Sequence, residues 1–157
     1  MKIIVIVGGI ILALILIIVS LTLLIKNIRT RNRKPMTKEK FFKIAKSQGW
    51  ELFEMENELP DGAEGFIAEK DNAQIGFLTM STKDATALYK KNKKIFERDQ
   101  GSDGEYLTKE YKKFTSCRIS NLDKYMAVTR VRGTLLLFDG YANYQNIVDK
   151  FFNKAGY

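Results

Sequence analysis

The acidic side chains whose spacing comes nearest to a cation site are Asp99, Asp103 and Glu110. Counted from Asp99, they occupy positions one, five and twelve of a calcium-binding loop, with Gly104 at the turn and Tyr106 at the apolar eighth position. Gly101 and Leu107 stand where two further ligands are required, so the stretch reads as a polar loop and no metal is expected. Cys117 is the only cysteine. Its neighbour Arg118 points to the opposite face of a predicted strand, which makes Cys117 a small buried apolar residue and not an activated thiolate. Glu54 and Glu56 alternate as exposed strand charges do. The chain has no histidine, which removes the usual neutral-pH base and the commonest transition-metal ligand. Phosphate-cradling glycine loops are missing as well. We therefore expect no catalytic residue, no cofactor and no enzyme.

Charge narrows the partners. The formal net charge is +8, yet nine basic residues against Glu39 lie between Lys26 and Lys46, and from Ser47 onward sixteen basic face seventeen acidic residues. Aromatic and basic residues are not interleaved as a nucleic-acid surface requires, so no nucleic-acid partner is expected. One cysteine cannot form an intramolecular disulfide, and nothing calls for an oxidising compartment.

The apolar run from Ile3 to Ile25 has no ionisable side chain. It exceeds the roughly 20 residues that cross a bilayer as a helix, and no small-x-small cleavage site follows it. Residues 1–25 are thus expected to form a single transmembrane anchor in the cell membrane. Lys26, Arg29, Arg31, Arg33 and Lys34 flank its C-terminal side, which places the N-terminus outside and the rest in the cytoplasm. The same five residues are the expected membrane-surface contacts, with membrane lipid as a partner. Gly9 and Ala13 form a small-xxx-small pair through which the anchor would make a homodimer.

Behind a basic juxtamembrane linker, residues 26–36, the sequence predicts a domain over residues 37–157. Thr37 caps a helix with Phe41, Ile44, Ala45 and Gln48 on one stripe, ended by Gly49. Strands are predicted at Trp50 to Met55, Phe66 to Lys70 and Gln74 to Met80, the last two joined by the turn pair Asp71-Asn72. Ser81 or Thr82 caps a second helix with Ala85, Leu88, Tyr89, Ile95 and Phe96 inward and Lys83, Lys90, Lys91, Lys93 and Lys94 outward. Gln100 to Gly104 reads as a loop. Strands follow at Phe114 to Ser120, Tyr125 to Val131 and Thr134 to Phe138, giving a sheet with one mainly buried face. A helix from Tyr141 to Ala155 ends at Gly156. Gly49-Trp50 and Gly156-Tyr157 repeat one ending.

The expected fold is α+β: an N-terminal transmembrane helix, then an antiparallel sheet of about six strands with three helices. The expected function is a membrane-tethered, non-enzymatic module that binds a protein or peptide partner at the inner membrane surface. A sensor of anionic lipid or a small ligand, using the basic linker and the lysine-rich helix, is the alternative. An enzyme working through carboxylates or Cys117 comes last.

Overall fold

The computed structural model describes residues 15, 17–25, 28, 33–55, 59–101 and 104–157. Two compact units divide between residues 32 and 33. In the first, α1 has helical backbone at residues 15, 17–25 and 28, with the Thr22 hydroxyl donating back to the carbonyls of Ile18 and Val19 at 3.0 and 2.8 Å. Its Ile17, Ile18, Leu21, Leu23 and Leu24 are exposed.

The expected anchor is corrected here. Among the described residues no helix is long and apolar enough to cross a membrane. The single-pass reading of Ile3 to Ile25, the cell-membrane localisation and the outside-to-cytoplasm orientation fall with it. Gly9 and Ala13 lie outside the described residues.

The second unit holds α2 (Lys38–Ser47), β1 (Glu51–Glu54), β2 (Glu64–Lys70), β3 (Ala73–Thr79), α3 (Thr82–Asp99), β4 (Glu105–Tyr111), β5 (Phe114–Ser120), β6 (Lys124–Val131), β7 (Thr134–Tyr141), a 3-10 turn (Ala142–Tyr144) and α4 (Gln145–Ala155). All seven strands form one antiparallel sheet in the order β1-β2-β3-β7-β6-β5-β4. A first meander, β1 to β3, ends where α3 carries the chain to the far edge. A second meander, β4 to β7, walks back until β7 pairs with β3.

The count of about six strands is therefore corrected to seven, and the three helices expected in the domain are α2, α3 and α4. The missed strand is β4, which the sequence reading places within a polar loop. It is an edge strand with exposed residues along most of its length, so it lacks the alternation that marks a half-buried strand. A second correction concerns β6, which is buried from Tyr125 to Val131. Tyr125 and Ala127 pack into a cluster with α2 and α4, whereas Met126 and Val128 pack into another with α3. Helices cover both faces.

Local chemistry explains the boundaries. Thr37 caps α2, its hydroxyl accepting from the Lys40 amide at 3.3 Å, and Ser81 caps α3 through the Asp84 amide at 3.1 Å. Asp71 and Asn72 take φ of 51° and 65°, the left-handed pair that suits a two-residue hairpin. Gly49 and Gly156 take φ of 72° and 85°. Each reverses the chain so that the next amide, Trp50 or Tyr157, reaches back to Ala45 or Phe152 at 3.0 and 2.8 Å, which closes the last turn and turns an aromatic ring inward.

These two rings finish the core. Trp50 meets Phe151 edge-on at 5.4 Å, and Phe41 stacks on Phe77 at 4.9 Å. The Tyr157 hydroxyl pairs with that of Thr134 and accepts from the Met36 amide at 3.0 Å. Met36, which the sequence places in the linker, is thus only 3% exposed. Tyr157→Phe should cost about 1–3 kcal/mol, because the buried Met36 donor is left unpaired. Urea unfolding followed by the fluorescence of Trp50, the sole tryptophan, measures it; an unchanged midpoint would remove the hydroxyl from the account.

Candidate functional site

The acidic loop residues are dispersed by the fold. Asp99 is held by its neighbour Arg98 at 2.9 Å, a hydrogen bond that lowers its pKa. Glu110 sits in β4, not in an exit helix, and takes the Lys93 ammonium of α3 at 2.5 Å. Asp103 lies outside the described residues. Among the described residues no group of three His, Cys, Asp or Glu side chains could hold a metal ion. Of the five basic flank residues, Lys26, Arg29 and Arg31 also lie outside the described residues. Arg33 packs on the folded unit, with Cζ 4.4 Å from the Phe114 ring centroid and Nη1 donating to the Gly156 carbonyl at 2.7 Å. Lys34 is exposed.

Cys117 has no exposed surface, and burial pushes its thiol up to about 11. It stays protonated at neutral pH.

The concave surface of the second unit lies elsewhere, on the α3 side of the sheet. The long axis of α3 runs chiefly over β5, β6 and β7, leaving β1 to β3 on that face with little helical cover. Beside it opens a groove of about 700 Å³ between α3, the floor residues Leu78 and Leu137, and the segment carrying Met55, Leu59 and Pro60. Gly65 makes the floor low there: a Cβ at this position would come within 2.8 Å of Met55 Sδ and 2.9 Å of Leu59 Cδ1. Strand register extends the apolar surface outward, since Phe53, Ile67, Gly76 and Leu137 lie side by side across β1, β2, β3 and β7. Phe53 is 48% exposed.

The α3 wall of this groove was hidden inside a stripe that looked uniform. Ala85, Tyr89 and Phe96 are buried under the helix. Asp84, Leu88, Lys91 and Ile95, spaced four, three and four residues apart, form a second line that faces the groove. The width of the apolar stripe was the available signal: it exceeds what one contact with a sheet consumes. The other wall depends on register, which the sequence does not state.

Beyond the groove, Tyr106 donates to Glu97 at 2.7 Å and is pushed up to about 12, first by desolvation and then by this acceptor. Burial likewise raises Tyr89, Tyr125 and Tyr157. The unfolded chain ionises these thiol and phenol groups near pH 8.5–10. Their contribution is therefore intact below about pH 8.5 and lost as pH climbs through the folded values. The urea midpoint should stay level from about pH 6 to 8 and fall between about pH 9 and 11, and Cys117 should resist a thiol reagent at about pH 8 by a factor on the order of 10³ relative to the unfolded chain. Rapid labelling of the folded protein would contradict the burial of this thiol. No protein-family model, curated protein or solved structure matches the chain.

Proposed function

We propose that the chain is a non-enzymatic interaction module whose groove beside α3 receives an amphipathic helix of a protein partner. The groove itself is the observation that carries this reading. It is apolar along Met55, Leu59, Leu78, Met80, Leu88, Ile95 and Leu137, and these side chains are only partly packed against the core, apart from the buried Leu78. Apolar surface left in a concave trough between a helix and a sheet is the shape into which helical segments dock. Met55 and Met80 suit it further, because unbranched thioether chains re-pack around different ligand side chains.

Charge specifies the partner. Lys91 stands in the wall, and Lys83, Lys90 and Lys94 lie on the same helix. Lys93 is committed to Glu110 and Glu97; Lys91 and Asp84 are the charged side chains that line the groove, and the other lysines leave the helix that walls it with a net positive charge. An acidic flank on the incoming helix complements them and steers its approach. The absence of histidine and the burial of the one thiol agree with binding in place of catalysis.

A photo-reactive residue at Ala87 in the full chain should cross-link one helical partner, and Leu88→Glu should lower affinity for it at least about tenfold by placing a charge in the apolar trough. The same photo-reactive residue at Leu122, which is exposed and does not line the groove, should capture nothing specific. Capture that survives Leu88→Glu undiminished, with circular dichroism showing the fold retained, would sink the proposal.

A further inference from the structure

The margin of the sheet at β4 and β5, on the face opposite the groove, gathers three cations, Arg33, Lys109 and Arg118, against one carboxylate, Asp149, among the described residues. Phe114, Ser116 and Arg118 alternate along β5 and so share one face. Register sets Lys109 across from Ser116 and Leu107 across from Arg118. Arg33, Asn153 and Tyr157 close the other side of a cleft of about 260 Å³. At about 30 Å³ per water that is space for roughly eight of them, enough for a small organic ligand.

The cations there are held in place. Arg33 is fixed by the Phe114 ring and the Gly156 carbonyl. Arg118 donates to Asp149 Oδ1 at 2.7 Å, an oxygen that also accepts the Tyr125 hydroxyl. Lys109 has no carboxylate within 4.0 Å among the described residues. Among the described residues no acidic side chain lines the cleft, and Asp149, paired with Arg118, is the carboxylate beside these three cations. Desolvation and then the charge of Arg118 lower the pKa of Arg33, so the two guanidiniums repel each other across the site. Among the described residues each of these guanidiniums makes one hydrogen bond, whereas a guanidinium carries five N–H donors in a rigid fork.

We propose that this cleft binds a phosphate monoester, its phosphoryl group held by Arg33, Lys109 and Arg118 and its organic part resting on Leu107. Three cations against one carboxylate leave about two positive charges, which a phosphate monoester of charge about −1.5 to −2 matches and a single carboxylate does not. Guanidinium forks meet phosphate oxygens two at a time, and the lysine adds a mobile point charge. Leu107, 66% exposed at the mouth, gives an apolar body a surface that inorganic phosphate cannot use. The site shares no residue with the groove, so either assignment can fail alone.

Phenyl phosphate titrated into the full chain, followed by calorimetry, tests this, with inorganic phosphate and benzoate as parallel probes. Phenyl phosphate should bind saturably, inorganic phosphate several-fold more weakly, and benzoate at least about tenfold more weakly than phenyl phosphate. Arg33→Gln should weaken phenyl phosphate at least about tenfold. Lys109→Gln, at an exposed strand position that leaves the fold intact, should weaken it about three- to tenfold. Lys150→Gln, which removes the same charge outside the cleft, and Leu88→Glu in the groove should leave it unchanged. No saturable binding at millimolar phenyl phosphate, equal binding by Lys109→Gln and the parent, or an equal loss in Lys150→Gln would each overturn the assignment.

Discussion

The antiparallel pairing of β3 with β7 is the constraint from which the rest of the second unit follows. Thr79 opposes Thr134 and Gly76 opposes Leu137, and this one seam makes a single sheet of two meanders. For β7 to arrive there from the far side, the chain leaves β3, passes over the positions of β7, β6 and β5, and starts again at the β4 edge. The crossing element is α3, fixed at its start where the Met80 amide donates to the Gly133 carbonyl at 2.9 Å. Gly133 is required at that contact, because a Cβ would stand 2.3 Å from the Met80 carbonyl oxygen.

Helix coverage then becomes a matter of widths. Six inter-strand steps of about 4.8 Å make the sheet about 29 Å across, and a helix with its side chains is about 10–12 Å wide. One helix cannot roof the α3 face, and what it leaves open beside β3 and β7 is the apolar groove. On the other face α2 and α4 share the centre, where Phe41, Phe77, Trp50 and Phe151 interlock. The uncovered margin under β4 and β5 is the cationic cleft. Both concavities are thus the remainders of helix layers narrower than the sheet they cover.

What the sequence shows follows the range of the interactions involved. Caps and turns are local: Thr37, Ser81, Asp71-Asn72 and Gly156 act over a few residues, and β5 runs from Phe114 to Ser120 as its composition indicates. Helices on both faces of β6 are not local, and a strand buried on two sides shows no polar alternation to betray it. Arg33 is the extreme case. Its partner Gly156 lies 123 positions away, so within its own segment it reads as one more membrane-surface flank charge. The apolar run at the N-terminus led to an anchor, whereas no helix among the described residues is long and apolar enough to cross a membrane.

The edges of the sheet argue for its faces as the binding surfaces. An open strand edge invites pairing with another chain, and folded proteins blunt it with shortness and charge. β1 is four residues long with exposed Glu51 and Glu54. β4 carries Glu105, Lys109 and Glu110, and it is tied down to α3 through Glu110 with Lys93 and through Tyr106 with Glu97. Each such exposed tie contributes little alone, about 0–1 kcal/mol, but together they hold the outermost strand against the helix. With both edges shielded in this way, strand addition is the less favoured mode, and the recognition proposed above uses the groove and the cleft, where side chains and not backbone groups are on offer.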